Sequence, residues 1–386
     1  MVETQSQSAT FDIRPVATDG DRELFLDVPQ HVYANDPNWV PPIRSSIAKE
    51  FSSTNTFFEY GTLQQFIALR PDSAGKPQPI GRIVAAINRR LIERENQPVG
   101  LIGYFECIND FAVAQGLFQA ACDWLRSNGI TIARGPIDLS THNRCLCLVD
   151  GFDTPPKVMM PYNPSYYPQF FEKDGWYKGK DAYSYMINVE IELPPLYEKG
   201  YRIACKSGIE FRRLNVKGEA FWEDVKGIYD LFTKAFANNY SSSARTLEEF
   251  LEEAKDLKDL VDPDIFWIAE YKGEMVGFFM ALPDYNIALK HVNGKLDIWG
   301  ILKFLWFRRQ IDQARILVIC SLPEHQRRMV PFGLIHLALK YGGSKSKPYK
   351  RTDIGHVFED NLPSRRVIEA AGSQIDKTYR IYEKAL

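Results

Sequence analysis

Apolar and polar positions along the chain follow two periods, two for strands and 3.6 for helices, and their order occurs twice. Residues 11–16 alternate as a strand, and 19–35 have helical spacing. Residues 36–62, rich in Pro, Ser, Thr and Asn, read as loop. Residues 65–70 and 80–88 form a predicted hairpin across the turn 72–77, and 99–108 is the next strand. Asp110 is placed to cap a helix over 110–128, with Leu117, Ala121, Trp124 and Leu125 on one face and Asn128-Gly129 as its stop. Residues 131–135 read as a short strand. The proline-rich stretch 136–165 reads as a long irregular loop, a length that is often functional. A helix over 165–173 ends at Asp174-Gly175, and 181–190 alternates as a last strand.

The second pass runs through a strand at 209–214, two helices within 218–260, and a hairpin of 265–271 with 275–283 across Lys272-Gly273. After an insertion at 284–313 come a strand at 315–321, a helix at 329–341, a strand at 352–358, a helix at 363–371 and a strand at 376–383. Phe171-Glu-Lys-Asp-Gly175 parallels Ile368-Glu-Ala-Ala-Gly372, and each Gly is followed ten residues later by a tyrosine, Tyr185 and Tyr382. The pattern predicts an α/β protein with mixed sheets, built as two tandem domains. The expected limits are a disordered 1–10, a first domain 11–191, a linker 192–207 and a second domain 208–386. With 386 residues, two domains of this size are the ordinary expectation.

Composition narrows the function classes. The net charge of −2 gives no reason to expect a nucleic-acid partner. The six cysteines have neither zinc-finger nor thioredoxin spacing, and no histidines stand at ligand spacing, so no metal is expected. The polar start lacks a secretory pattern and no apolar run reaches about 18 residues, which leads us to expect a cytoplasmic protein with reduced thiols. The strongest apolar stretch is 296–310, LDIWGILKFLWFRRQ, closed by Arg308 and Arg309 with Lys303 inside. It suits either an interfacial helix touching the inner membrane face or a helix packed between the domains. Lys345, Lys347, Lys350 and Arg351 form a basic run that is either a steering patch or a solvated loop.

The order of elements resembles the GNAT fold, the acyl-CoA N-acyltransferase superfamily, in both halves. More narrowly, the strings Phe57-Phe-Glu-Tyr-Gly61, Gly103-Tyr-Phe-Glu-Cys107, Val149-Asp-Gly-Phe-Asp153, Met159-Met-Pro-Tyr-Asn-Pro164 and Tyr379-Arg-Ile-Tyr-Glu-Lys384 resemble a bacterial family of tandem GNAT-like proteins, the YghO-like family. The resemblance implies acyl-CoA or acetyl-CoA as co-substrate, wedged between the fourth and fifth strands with its pyrophosphate at the next helix N-terminus, and a lipid-like amine as an acceptor class. The superfamily motif [Q/R]-x-x-G-x-[G/A] falls on residues 326–331. Gln326 fits it, while Met329 and Pro331 stand where small residues are usual. Arg327 and Arg328 can hold phosphate through their side chains. The bland alternative is a basic first turn of a surface helix. Asn361 is a further cofactor-side candidate and equally a plain helix cap. The N-terminal half has no such motif.

Amine acylation needs a proton acceptor and donors for the oxyanion. The resemblance places the common carboxylate base at Glu106, in an apolar strand where burial raises a carboxyl pKa. The alternative is an ordinary ion pair with Arg82 or Arg134. The loop 135–145 reads His142-Asn143-Arg144 where the family resemblance implies Asn-Asp-Glu, and it carries His142 as a second base candidate and Cys145 as either a nucleophile or a buried thiol. Tyr162 and Asn163 precede the following helix, near the expected mouth of the wedge. Phe171 and Ile368 stand where GNAT enzymes carry a tyrosine acid, so neither half supplies one there. Two readings follow: an acyl-CoA-dependent N-acyltransferase for an amine with an apolar tail, or a catalytically degenerate binding or scaffold protein.

Overall fold

The computed structural model describes residues 11–190, 194–236, 239–344 and 349–386, apart from the side chain of Gln326. The chain falls into two compact units that interleave along the sequence. The first takes the chain up to Phe152, with Pro161–Lys180 and Arg380–Leu386; the second takes Asp153–Met160 and Asp181–Tyr379.

The elements of the first unit, in chain order, are β1 (Asp12–Pro15), α1 (Asp19–Val32), α2 (Arg44–Glu50), α3 (Phe57–Tyr60), β2 (Gly61–Pro71), β3 (Pro77–Asn88), α4 (Arg89–Glu95), β4 (Val99–Cys107), α5 (Phe111–Ser127), β5 (Ile132–Gly135), β6 (Cys147–Asp150) and α6 (Tyr167–Lys173). β7 (Tyr177–Asn188) begins there and enters the second unit. The stretch 36–62 is not all loop: α2 and α3 lie in it, short helices that turn-forming composition concealed. α1 opens on a capping box, with Thr18 and Asp21 satisfying each other's backbone N–H. β1 to β4 run antiparallel in order, and β4 pairs parallel with β5 over Val99–Leu101. The end of the chain closes this sheet, with Tyr382↔Gly135 through Ala385↔Ile132 antiparallel. α5 lays Val113, Leu117, Phe118, Ala121 and Leu125, all fully buried, on the sheet. Each large apolar side chain among these contributes about 1.5–3 kcal/mol.

The second unit continues with α7 (Pro195–Lys206), β8 (Ile209–Arg213), α8 (Gly218–Phe236), α9 (Leu247–Leu257), β9 (Phe266–Tyr271), β10 (Glu274–Pro283), α10 (Asn286–Leu289), α11 (Ile298–Phe307), β11 (Gln313–Ser321), α12 (Val330–Gly342), β12 (Arg351–Phe358), α13 (Leu362–Ala370) and β13 (Gln374–Ala385), whose last residues belong to the first unit. The stretch read as a linker carries α7, an amphipathic helix packed on α12 so closely that a Cβ on Gly200 would lie 2.6 Å from Phe332 Cβ. The sheet order is β8-β9-β10-β11-β12, antiparallel except for β11 with β12, and residues 182–188 of β7 pair antiparallel with β12.

The plan of each sheet is therefore the same: an antiparallel run, one parallel pair and an antiparallel closing strand. The tyrosine echo read from the sequence is structural. Tyr382 and Tyr185 are both fully buried. Tyr382 donates to Glu172 and stacks on Phe171 in the first unit, while Tyr185 donates to Glu369 in the second. Gly175 and Gly372, at φ 83° and 86°, take the left-handed turn that ends each preceding helix.

Candidate active site

Both units place an irregularity on the fourth strand just past its parallel pairing. In β4, Arg82↔Glu106 and Val84↔Gly103 leave two residues opposite Ile83, a bulge at which Tyr104 adopts φ 50°. In β11, Met280↔Val318 and Ala281↔Ile316 leave Leu317 without a register partner. The surroundings of the two bulges differ.

In the first unit the bulge is sealed by its own chain. After β5, the loop 136–146 folds back as a hairpin-like turn, with Leu146 N–H donating to Pro136 O and Asp138 N–H to Arg144 O. Ile137 N–H donates to Ile102 O at 2.7 Å, and Asp138 Oδ1 accepts from Tyr104 N–H at 2.5 Å. Gly103 permits this approach, because a Cβ there would lie 2.4 Å from Ile137 O. All nine residues of β4 are buried.

Glu106 lies beyond the bulge, 9% exposed. Its Oε2 accepts from Tyr33 Oη at 2.7 Å and Tyr167 Oη at 2.9 Å. Oε1 faces Arg82 Nη2 at 3.9 Å. Burial raises the Glu106 carboxyl above the ordinary range, opposed by Arg82 and the phenol hydrogen bonds. Arg82 donates to Phe25 O at 3.1 Å, while its Nε and Nη2 make no hydrogen bond among the described residues. Burial pulls its pKa down and pushes the Tyr33 and Tyr167 phenols up. Around this pair stand Glu50, accepting from Tyr104 Oη, and the Asp138–Arg144 pair at 2.8 Å. Burial raises Glu50 as well. Of the two arginines considered as partners of Glu106, Arg82 is the one that faces it; Arg134 pairs with Glu95 and Glu383.

Tyr162 is brought next to this cluster. Its carbonyl accepts from Tyr33 Oη at 3.3 Å, and its own hydroxyl donates to Asp36 Oδ2 at 2.8 Å. Trp39 stacks on Tyr33 at 5.0 Å. Aromatic side chains and the Asp36 carboxylate thus pack beside Glu106. Asn163 is buried and spends its side chain on backbone, accepting from Leu148 N–H at 2.7 Å and donating to Leu148 O and Pro164 O. His142 sits half-buried at the tip of the 136–146 loop, its N–H on Ser140 Oγ at 3.3 Å. Cys145 is buried.

In the second unit, β11 leaves β12 after Ile316↔Ile354, and Leu317, Val318 and Ile319 are only half-buried. The chain then turns through 323–328 into α12. Met329, the N-cap, has φ 59° and makes no side-chain cap bond. The glycine position of the motif keeps a glycine conformation although methionine occupies it. Arg327 is exposed. Arg328 donates to Ser207 O and lies over the Tyr271 ring, 4.1 Å from its centre. The side chain of Gln326 lies outside the described residues, as do Lys345 and Lys347. Asn361 caps α13, accepting from Ser364 N–H at 3.3 Å.

The chain as a whole is similar to known proteins. The chain is 31% identical to the bacterial ceramide synthase of Caulobacter vibrioides over 389 residues, covering 99% of both chains. It is 29% identical to protein YghO of Escherichia coli, covering 97% of this chain and 95% of that one. The chain belongs to the YghO-like family. Solved structures agree on the fold of this family member. A tandem GNAT protein from the clavulanic acid biosynthesis pathway superposes with TM-score 0.55 at 12% identity, covering 97% and 98% of the two chains. A GCN5-related N-acetyltransferase from Sphaerobacter thermophilus gives 0.52 at 12% identity, covering 97% and 95%. No protein-family model matches the chain.

For this YghO-like protein, the two helix N-termini that follow the fourth strands, α5 and α12, test the fit to an anionic co-substrate. α5 begins on Asp110, whose carboxylate accepts from Ala112 N–H and pairs with Arg70 at 2.7 Å. A carboxylate there opposes a phosphate. α12 begins on an uncapped left-handed residue next to Arg327 and Arg328, beside a half-buried apolar strand. That end fits a phosphate with an acyl-bearing arm. Tyr33, Tyr167, Glu50 and Asp138 escaped sequence reasoning. They come from four separate segments, and single-chain periodicity carries no signal for such long-range hydrogen bonds.

Proposed function

We propose that this protein is an N-acyltransferase that moves an acyl group from an acyl thioester of CoA to the amine of a long-chain, lipid-like acceptor. The observation that carries it is Glu106: a buried carboxylate of raised pKa, bonded by two phenols and flanked by the Tyr33, Trp39 and Tyr162 aromatic side chains. The name of the Caulobacter relative supports the same reading, since a ceramide is an N-acylated long-chain base.

An amine arrives as an ammonium ion and must lose a proton before it can attack a thioester. Asp36 favours the cation, and Glu106 takes the proton, with Tyr33 Oη as the hydroxyl between them. A carboxyl held above its usual range is a better proton acceptor than a surface glutamate. His142 is assigned as the alternative acceptor, Tyr162 as a group that orients the amine, and Asn163 as the clamp that holds the Tyr162 segment. For the second unit taken by itself, the CoA phosphates are assigned to Gln326, Arg327, Arg328 and the N-terminus of α12. Asn361 is assigned to the cofactor side through the turn it caps. CoA supplies the thiolate leaving group.

The test is transfer by purified protein from acyl-CoAs of graded chain length to a long-chain amino alcohol, with the amide product read by mass spectrometry. Product that depends on both substrates supports the assignment, and its absence at every chain length refutes it. A binding-only protein is the second reading, favoured by Asp138 occupying the Tyr104 N–H at the first bulge. Saturable acyl-CoA binding without turnover would establish that reading instead.

A further inference from the structure

The second unit carries an apolar surface that its own fold does not use. α11 turns Gly300, Phe304 and Phe307 inward. Gly300 is buried with no room for a Cβ, Phe304 lies 5.8 Å from the Tyr285 ring, and Phe307 stacks on His291 at 3.6 Å. The remaining arc presents Ile298, Trp299, Ile301, Leu302, Leu305 and Trp306 outward. Ile298, Trp299 and Trp306 are 76%, 74% and 64% exposed. Leaving so many large apolar groups in water on one helix is costly unless something covers them.

Charge selects the cover. Lys290, Lys295, Lys303, Arg308 and Arg309 are all exposed on and around this helix. The carboxylate of the segment, Asp297, is spent on the helix N-cap, accepting from Gly300 N–H at 2.7 Å. A second copy placed face to face would bring cations against cations. An anionic lipid surface satisfies both features: tryptophans sit at the headgroup level and arginines meet phosphates. The ten residues of α11 span roughly 15 Å, half of a bilayer core, and among the described residues no helix is long and apolar enough to cross a membrane.

We propose that α11 is a docking helix that lies in the surface of an anionic membrane, with its Trp299–Trp306 face inserted and its basic residues on the phosphates. The geometry matches an in-plane amphipathic helix, whose binding adds buried apolar area to electrostatic attraction.

The test is co-sedimentation of the full-length protein with phosphatidylcholine vesicles, with and without phosphatidylglycerol. The expected result is binding that needs phosphatidylglycerol and weakens with salt. Partition should fall about fivefold for each of Arg308→Gln and Arg309→Gln, and by at least roughly tenfold for Trp299→Ala with Trp306→Ala. An unchanged thermal melt of each variant shows that folding is intact. Because these tryptophans are exposed, acyl transfer to a detergent-dispersed acceptor should be unaffected, which separates docking from catalysis. Absence of binding to phosphatidylglycerol vesicles overturns the proposal, as does equal binding by the tryptophan variant. Sedimentation velocity that shows a dimer dissolved by the same substitutions overturns it in favour of self-association.

Discussion

Glu106→Gln changes one oxygen for an amide nitrogen and keeps the side-chain shape. The carbonyl oxygen can still accept from Tyr33 and Tyr167, which both bond a single oxygen of the native carboxylate. The amide nitrogen then faces Arg82, so a donor meets a donor. Arg82 is 1% exposed, two of its nitrogens make no hydrogen bond among the described residues, and Glu106 is the carboxylate that supports its charge most. Removing one partner of a buried ion pair costs about 3–5 kcal/mol. The 3.9 Å separation here lowers the expected loss to about 2–3 kcal/mol. Arg82→Met added to the Glu106→Gln variant should recover at least about 1 kcal/mol in urea unfolding, because it removes the stranded cation.

Activity should follow a different course. A positioned general base contributes roughly 100- to 10,000-fold, so kcat/KM for amine acylation should fall by that range and stay low in the double variant. The pH profile gives the sharper readout. The native carboxyl titrates above 4.5, so kcat/KM should rise through an acid limb above that value and lose this limb in Glu106→Gln. Stability has the opposite slope. The folded state holds the proton to higher pH than the unfolded chain, so stability is highest below 4.5 and declines as pH rises through the folded value. The amide variant should lack that decline. Full activity with an unchanged acid limb in Glu106→Gln would remove Glu106 from the chemistry.

Tyr33→Phe should lower kcat/KM about tenfold while costing about 1 kcal/mol of stability in urea melts, since the lost hydroxyl leaves Glu106 with Tyr167 alone. Gly103→Ala should destabilise by about 1–3 kcal/mol, because its Cβ would press on Ile137 O and Asp138 Oδ1; faster amide exchange confined to 136–146 would show that the loop has been unseated. Asp353, fully buried with Arg315 at 3.5 Å, has its carboxyl raised from 3.8 to about 6. Stability should therefore decline by up to about 3 kcal/mol as pH rises from about 4 to about 6, and Asp353→Asn should flatten that decline in pH-dependent melts. Met329→Gly should raise the melting temperature, by relieving a left-handed methionine worth about 1 kcal/mol, and Met329→Val should lower it.

The tandem plan was legible in the sequence because it rests on local signals. Strand alternation, the Asp110 cap, and Gly175 and Gly372 with their trailing tyrosines each act within about ten residues, and each appears where its pattern placed it. The short helices α2 and α3 were illegible because four to seven residues give too few turns for a period to show, and α7 because a proline-led stretch between domains reads as linker. The cluster around Glu106 was half legible. Glu106 and Tyr162 stand in distinctive strings, but Tyr33 and Tyr167 reach Glu106 across 73 and 61 residues of chain, which no local pattern encodes. The sheet-closing strands were hidden for the same reason: 182–188 and 382–385 look like ends of their own halves of the sequence, yet 182–188 close the sheet of the second unit and 382–385 that of the first.

The divergence of the two copies follows from single residues at equivalent places. Both keep a bulge on the fourth strand, and a bulge leaves backbone polar groups that must be satisfied. In the first unit Asp138 satisfies Tyr104 N–H, Gly103 lets the loop close over it, and Asp110 puts a negative charge on the following helix N-terminus. Those three choices together oppose an anionic arm, and burial raises the Glu106 carboxyl above its ordinary range. In the second unit Leu317 lies in a half-buried strand, Met329 keeps the left-handed turn, and arginines replace the acid. Replacing Asp110 alone should therefore not confer phosphate affinity on the first unit, because Asp138 and the buried strand still block the approach. Replacing Arg327 and Arg328 together by Gln should weaken acyl-CoA binding by roughly 25-fold, at about fivefold per lost charge-assisted contact, while leaving the Glu106 acid limb where it was. A shift of that limb would show that the two assignments are not separable.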